Sequence, residues 1–395
     1  MASRGLSQPI QPVRRLDIDW LRLLAVLMLF FFHSTRIFDI NEQFYAKSSQ
    51  TSGLLTFVFI DLVWPWFMPL FFILAGASTW FAMGFRSAGK YAGERFKRLF
   101  IPFVFGLLVI VPPQSYFGLR GHSDYGASFL SYYPGFFRII PQDLDGYFLG
   151  GFTFGHLWFI IYLFVYSLMA LPVFVYLRGE RGVRLTRRLA GFFSPPGLIF
   201  LPAFLPIIMN LLIAFNPNPL YYLVFFVYGY VLMTDSRFGA AIDRHKATAL
   251  VLGPGLYLLW LTWLRLRHPE APWWLAFFLD LHRGLLSWIS LVAILGYGRK
   301  FLNFSNGFLN YFAQASYPYY FLHQTVIVVL GFYILKWQAV LAVKFAAIVG
   351  VSFLVTAALY DLVVKRFRVT RFLLGLKSLP KPPRASAAAE GPSSG

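Results

Sequence analysis

The sequence predicts an all-α integral membrane protein with about ten transmembrane helices and both termini in the cytoplasm. Composition is the first reason: of 395 residues, 58% are apolar, 20% are aromatic and only 13% are charged. Soluble domains are about 25% charged. The second reason is a series of apolar stretches, several of which reach the roughly 20 residues that cross a bilayer as a helix. The third is the uneven placement of Lys and Arg along the chain.

Ten apolar stretches along the chain predict the ten spans. The first carries Arg22 and His33 and has no small-residue cleavage site, so it predicts a membrane helix and not a signal peptide. The sixth is the shortest. The predicted spans are Leu16–Phe38, Leu54–Phe85, Arg98–Phe117, His156–Leu177, Gly197–Phe215, Leu220–Met233, Ala247–Leu264, Pro272–Tyr297, Leu309–Leu335 and Val340–Val364.

The basic residues predict the orientation, because cytoplasmic segments carry an excess of Lys and Arg. With the N-terminus inside, the predicted inner segments hold 25 of the 35 basic residues. The net charge of +19 therefore describes topology, and a chain with so little polar surface leaves no room for a nucleic-acid face. The predicted outer segments hold only seven basic residues: Arg36, Lys47, Arg120, Arg138, Arg265, Arg267 and Lys336.

The chain divides into a membrane domain and two tails. Residues 1–15 are predicted as a cytoplasmic N-terminal tail, 16–377 as the membrane domain, and 378–395 as a disordered, proline-containing cytoplasmic tail. Within the domain, Ser115–Gly155 predicts an external stretch too long for a simple turn. Cysteine is absent, which excludes disulfides, thiolate catalysis and cysteine-bound metals.

Three ionisable residues lie in the first predicted span, and such groups are functional candidates by default. Arg22 and His33 are about three helical turns apart, so they share one helix face at about 16 Å along the axis. Asp19 falls within about 40° of that face. His33 ionises near neutrality, which suits proton transfer. The alternative is structural: Arg22 reaches to the interface and His33 is a hydrogen-bonded core residue.

This first span, LDIDWLRLLAVLMLFFFH, resembles the first-helix signature of the membrane acyltransferase-3 family. Further resemblances follow in the family's order and extend from Leu16 to about Leu376. The chain departs from the family pattern at Ala75, where a serine is usual, and at Trp20, where a glycine is usual. The matching segments are MPLFFILAGAS (Met68–Ser78), ERFKRLFIP (Glu94–Pro102), HLWFI (His156–Ile160), GYGRKFLN and ASYPYYFLHQTVIVV.

The resemblance implies transfer of an acyl group from cytoplasmic acyl-CoA to a hydroxyl of an extracytoplasmic glycan or glycolipid, in a multi-pass bacterial inner-membrane protein. The C-terminal segments are most similar to the branch with glucan-modifying succinyltransferases of the OpgC/MdoC type, so the donor is acetyl-CoA or succinyl-CoA. His33 is implied as the general base, or else as a transient acyl carrier. Arg22, with Asp19 beside it, orients the donor or stabilises the oxyanion. The implied CoA-binding residues are Arg95, Lys97 and Arg98.

Two later segments supply candidate substrate contacts. His156 and Trp158 begin the fourth span, where an interfacial anchor pair explains them equally well. Tyr320, His323 and Gln324 give the ninth span a polar density that predicts a cavity lining, with a hydrogen-bonded core histidine as the alternative. Aromatic residues on the outer side could stack on sugar rings or form an interfacial belt; they are Tyr116, Tyr125, Tyr132, Tyr133, Tyr147, Trp273 and Trp274.

A second class of function fits the buried charges: a secondary transporter or flippase. The absence of an internal repeat and of matching broken helices counts against it. His33 and Asp39 are one residue too far apart for the His-x4-Asp box of glycerolipid acyltransferases. No histidine pair has zinc-binding spacing, so no metal is expected.

Overall fold

The computed structural model describes residues 14–40, 43–144, 148–212, 217–266 and 273–377, and within them the chain is helical with no β-strand. Three short helical segments, Phe129–Tyr132, Tyr133–Phe137 and Pro141–Leu144, lie between α3 and α4. The numbered helices are α1 Leu16–Arg36, α2 Gly53–Met83, α3 Ala88–His122, α4 Gly155–Met169, α5 Leu171–Arg178, α6 Glu180–Phe192, α7 Leu198–Leu212, α8 Pro219–Leu232, α9 Ser236–Leu266, α10 Trp273–Phe301, α11 Gly307–Ile334, α12 Leu341–Val364 and α13 Arg368–Leu373.

The helices confirm a membrane protein. Among the described residues, α2, α3 and α12 are long and apolar enough to cross a bilayer. A fourth span is added if α4 and α5 are counted as one segment bent by 47°. Proline stands in the first turn of α5, where its missing N–H and fixed φ favour a new helix start over continuation of α4. The count of ten spans and the cytoplasmic termini remain predictions.

Helix α3 extends beyond the third predicted span at both ends. The apolar pattern predicts Arg98–Phe117, followed by an external stretch from Ser115, but α3 begins at Ala88 and continues to His122. Hydropathy marks only the part of a helix that suits lipid, whereas backbone hydrogen bonding continues through polar turns at both ends. The first residues of the predicted external stretch therefore lie on α3, as do Arg95 and Arg98.

Helix α1 occupies the interior of the bundle. It packs against α11 most extensively and also contacts α2, α10 and α12. Its apolar residues Leu23, Val26, Leu29 and Phe30 are almost completely buried. Because apolar side chains surround the helix on several sides, the polar residues of α1 lie inside the protein instead of facing lipid.

Helices α2 and α8 touch through their backbones at two glycines. A Cβ added to Gly76 would lie 1.9 Å from the carbonyl oxygen of Phe226, and one added to Gly229 would lie 2.0 Å from the carbonyl oxygen of Ile73. Small residues allow this close approach between membrane helices, where dispersion contacts drive association. The glycine in the MPLFFILAGAS segment thus has a packing role.

The two ends of the helix bundle carry different residues. At one end the start of α1 meets the start of α11, where Trp20 Nε1 donates to the Phe304 carbonyl at 2.9 Å. At the other end α3 and α11 finish together, and the Arg120 guanidinium lies 5.2 Å from the ring centroid of Phe332. We call these the basic end, which carries Arg22 and Arg95, and the loop end, which carries the connections after α1 and α3.

Candidate active site

Three histidines from distant parts of the chain meet inside the bundle. His33 comes from α1, His156 from the start of α4 and His323 from α11. The His323 ring lies between the others, with centroid distances of 5.1 Å to His33 and 5.2 Å to His156. His156 and His323 are buried, and His33 is partly buried. We call these residues the histidine cluster.

Backbone carbonyls fix the orientation of two of these rings. His156 Nε2 lies 3.0 Å from the Phe321 carbonyl oxygen, and His323 Nδ1 lies 2.6 Å from the Tyr320 carbonyl oxygen. A carbonyl oxygen only accepts, so His156 carries a proton on Nε2 and His323 carries one on Nδ1. In its neutral form His323 then presents Nε2 as a lone pair.

Two imidazole nitrogens of the cluster are buried without a hydrogen-bond partner among the described residues: His33 Nδ1 and His323 Nε2. Buried polar atoms are nearly always paired, and exceptions mark strain, catalysis or a missing ligand. Both atoms belong to neighbouring rings in the same interior region. These two nitrogens are therefore the candidates for proton exchange in the cluster.

Gln114, which the sequence pattern did not single out, connects α3 to α4 and α11 beside the histidine cluster. Gln114 on α3 lies 3.3 Å from His156 Nδ1 through its Nε2, which also donates to Thr325 Oγ1 at 2.7 Å. Its Oε1 accepts from Gln324 Nε2 at 3.0 Å. Because His156 Nδ1 carries no proton, it accepts from this amide. A buried glutamine within an otherwise apolar predicted span was the signal available in the sequence.

The predicted substrate residues divide into two groups. His156 and His323 belong to the histidine cluster, and Gln324 is linked to it through Gln114. The Gln324 Oε1 atom is buried without a partner among the described residues. The Tyr320 hydroxyl donates to the His156 backbone carbonyl, so Tyr320 holds α11 to the start of α4. Trp158 packs instead with Tyr162 and Tyr222, at centroid distances of 5.3 Å for both.

Arg22 lies at the basic end in a polar cavity of about 260 Å³. Its guanidinium donates to Asp19 Oδ1 at 3.2 Å and to Ser78 Oγ at 2.6 Å. Ser78 in turn donates to the Leu74 carbonyl at 2.6 Å. The predicted neighbours Asp19 and Arg22 therefore do face one site, and Ser78 of α2 completes it. The cavity is lined by Arg14, Arg15, Ile18, Asp19, Arg22, Ser78, Phe81 and Phe85.

The charge of this basic-end cavity suits an anion. Three arginines line it and Asp19 is the only carboxylate among the lining residues. Asp19 is shared, since it also accepts from Arg14 Nε at 2.7 Å. Arg15 is paired with Asp17 at 2.6 Å. The guanidinium groups retain further N–H donors in geometries that match phosphate or carboxylate oxygens.

The predicted trio Arg95, Lys97 and Arg98 does not line this cavity. The Arg95 guanidinium lies 4.6 Å over the Tyr91 ring, close enough to Arg22 for their charges to interact. Lys97 is exposed and Arg98 is partly buried. A π-helical turn at Phe96–Phe100 follows Arg95, and its wider winding changes the alignment that residues three apart have on an α-helix.

Several of the aromatic residues predicted to lie on the outer side have structural partners. The hydroxyl groups of Tyr116, Tyr132 and Tyr133 donate to the carbonyls of Ala127, Gly150 and Leu108 at 3.0, 2.6 and 2.9 Å. Burial raises the pKa of Tyr132, so its hydroxyl stays protonated as a donor. Tyr147 and the side chains of Trp273 and Trp274 lie outside the described residues.

Among the described residues, no group of three or more His, Asp or Glu side chains could hold a metal ion. In the histidine cluster, the nitrogens that contact Tyr320 and Phe321 are engaged with carbonyls. The groups present suit proton transfer at the histidine cluster, and the basic-end cavity has a lining that suits an anion.

Fold and site together define a helical membrane protein with acid–base groups in its interior, a class that includes membrane-embedded enzymes and transporters. The profile of the acyltransferase domain family, acyltransferase-3, matches residues 15–361. The chain belongs to this family, and it is an acyltransferase. The same comparisons match no curated protein and no solved structure.

Proposed function

We propose that the protein transfers an acetyl or succinyl group from cytoplasmic acyl-CoA to a hydroxyl of an extracytoplasmic glycan or glycolipid, with His33 as general base. The observation that carries the proposal is the interior position of His33, three turns along α1 from Arg22 and the basic-end cavity, with an Nδ1 atom that is buried without a partner among the described residues. Family membership supplies the acyl transfer. The orientation predicted from the basic residues supports a cytoplasmic basic end, and the family resemblance supports a bacterial inner membrane.

The donor side of the proposal uses the basic-end cavity. CoA carries several phosphates at one end and its thioester at the end of a long flexible arm. Phosphates bound near Arg14 and Arg22 would leave that arm to cover the roughly 16 Å between Arg22 and His33 along α1. Arg22 is held by Asp19 and Ser78 at the basic end. This favours donor orientation over oxyanion stabilisation as the role of Arg22.

The acyl transfer needs only one base, and its atoms and protons balance. The His33 imidazole takes the proton of the acceptor hydroxyl while that oxygen attacks the thioester carbonyl. The C–O bond forms, the C–S bond breaks, and the CoA thiolate leaves. The proton held by His33 then passes to the thiolate, which regenerates the neutral imidazole. His323, on a ring 5.1 Å from His33, acts as a positioning residue for this base.

The test is acyl transfer by purified protein in liposomes, with labelled acetyl-CoA or succinyl-CoA and β-gluco-oligosaccharides as acceptors. We expect His33→Gln to lower the transfer rate by a factor of about 100 or more, as for loss of a general base. His245→Gln is the matched control, because His245 is buried on α9 and contacts the backbone of Gly197 and Ala241. Its activity should stay close to that of the wild type.

Two results would contradict the proposal. One is a folded His33→Gln variant with wild-type transfer. The other is movement of the glycan across the liposome membrane without acyl-CoA and without ester formation, which would favour the transporter. Comparing the two donors identifies the acyl group, and comparing glycans with glycolipids identifies the acceptor class.

A further inference from the structure

A second cavity, of about 430 Å³, lies at the loop end. Three separate parts of the chain line it: the connection after α1, the end of α3 with the residues that follow, and the end of α11. The residues that matter for its chemistry are Lys47, Arg120, Asp124, Tyr125, Phe332 and Lys336. We call it the loop-end cavity.

The loop-end cavity is positively charged. Three of these residues are cations, and Asp124 is the only carboxylate among the lining residues. Among the described residues, no ion pair involves Arg120 or Lys336. Both are held by an aromatic face instead: the Arg120 guanidinium lies 5.2 Å and the Lys336 Nζ 4.4 Å from the Phe332 ring centroid. Arg120 also donates to the Tyr116 hydroxyl at 3.4 Å, and contacts with an aromatic face position a cation without using its remaining N–H donors.

Membrane orientation does not account for these charges. An excess of basic residues is expected on the cytoplasmic side, and the opposite side of this chain has only seven predicted ones. Three of the seven meet at one cavity. Scattered solvent-exposed charges would not need to converge, so the convergence indicates a ligand that carries negative charge.

The cavity is connected to the histidine cluster by the same helices. On α3, Arg120 follows Gln114 by six residues, or about 9 Å along the axis, and on α11 Phe332 follows Gln324 by eight, or about 12 Å. The connection after α1 also links the loop-end cavity to the histidine cluster. The Phe44 ring lies 6.1 Å from the His33 ring, and Lys47 lines the cavity. A short oligosaccharide would extend from one site to the other.

We propose that the loop-end cavity binds an anionic group, a carboxylate or phosphate, on the acceptor glycan, a few sugar units from the hydroxyl that receives the acyl group. Arg120 and Lys336 bind the oxyanion. Tyr125, partly buried in the lining, offers an aromatic surface to the adjoining sugar. This inference rests on the proposed function, because it names the substrate class of that reaction.

The experiment measures binding without acyl-CoA, so that it does not depend on catalysis. The protein is placed in phosphatidylcholine nanodiscs. Three probes are titrated: a gluco-oligosaccharide with one glucuronate, the same oligosaccharide with one phosphate ester, and the neutral oligosaccharide. We expect at least one anionic probe to bind roughly tenfold more tightly than the neutral one, the size of one charged hydrogen bond. The double variant R120Q/K336Q should lose this preference, and added salt should weaken it.

Arg138→Gln is the matched control, since it removes the same charge from an exposed residue of the external stretch that does not line the cavity. It should keep the preference for the anionic probe. Equal binding of anionic and neutral probes, or an unchanged preference in R120Q/K336Q, would overturn the inference. Binding of phosphatidylglycerol that depends on Arg120, with no glycan displaced, would also overturn it, because that result identifies a lipid site.

The two proposals fail in different ways. If His33→Gln binds the anionic probe like the wild type while no acyl transfer is found for any donor, the binding site stands and the proposed reaction is wrong. If transfer depends on His33 but proceeds equally well with neutral and anionic acceptors, the reaction stands and the loop-end assignment is wrong.

Discussion

Replacing Gly229 by alanine should disturb donor binding although Gly229 does not line the basic-end cavity. The added Cβ would lie 2.0 Å from the Ile73 carbonyl oxygen, whereas ordinary contacts are 3.4–4 Å. Helices α2 and α8 must therefore separate by roughly 1.4 Å at this point. Overpacking of this kind costs about 1–3 kcal/mol of stability.

The displaced helix α2 carries Ser78, which accepts from Arg22 at 2.6 Å. A shift of roughly 1.4 Å along that bond would take it beyond hydrogen-bonding distance. Loss of a hydrogen bond to a charged group is worth about 1.5–3 kcal/mol, or roughly ten- to hundredfold in affinity. We expect the KM for acyl-CoA to rise by about tenfold or more, with a smaller change in kcat and a lower Tm.

The assay is thermal unfolding in detergent together with donor and acceptor KM values from the liposome reaction. Gly350→Ala is the control, because Gly350 lies within α12 and nothing approaches its added Cβ within 4 Å. That variant should keep wild-type kinetics and a Tm at or slightly above the wild-type value, since alanine favours the helix. A Gly229→Ala protein with wild-type Tm and donor KM would refute the backbone contact.

Two further substitutions test the polar contacts of the site. Ser78→Ala should raise the donor KM as Gly229→Ala does but leave the Tm nearly unchanged; a wild-type KM would show that this hydroxyl does not orient Arg22 for the donor. Gln114→Leu removes the bond to His156 and leaves Thr325 without its donor and Gln324 without its acceptor. It should cost about 1–3 kcal/mol in unfolding free energy and lower kcat, whereas wild-type kcat would place His156 outside the reaction.

The spacing of Arg22 and His33 was predictable from the sequence because it depends on one helix. The 3.6-residue period places both side chains on one face wherever that helix begins, so an error of a few residues in its ends changes nothing. The position of Asp19 close to the same helix face was predictable by the same reasoning. Their placement in the interior follows from the surrounding apolar residues of α1.

Contacts between helices were not predictable in this way. His33, His156 and His323 come together only through the packing of α1, α4 and α11, and a single sequence contains no measure of that packing. The π-helical turn at Phe96–Phe100 is a second example, because it changes which residues share a face without altering the hydropathy pattern. Gln114 was missed for a related reason: its partners belong to other helices.

The ends of helices were the least predictable part of the fold. Helix α3 continues past the apolar residues to His122, so hydropathy underestimated its length. That extension matters for the chemistry, because it carries Arg120 beyond Gln114 on one rigid element. What the sequence pattern treated as the start of an external connection is the wall of the loop-end cavity.

The distance between Arg22 and His33 is itself favourable for the proposed reaction, and Arg36, which lies one turn from His33 on α1, is ion-paired with Asp39 at 2.7 Å. A positive charge 4 Å from His33 would oppose formation of the protonated imidazole by about 4 kcal/mol at an effective dielectric constant of 20. At about 16 Å, the axial separation of Arg22 and His33, the same charge opposes it by only about 1 kcal/mol. Anionic ligands at the two cavities would reduce that penalty further. Arginines can thus hold charged groups of both substrates at the ends of the bundle while the base between them can still accept a proton.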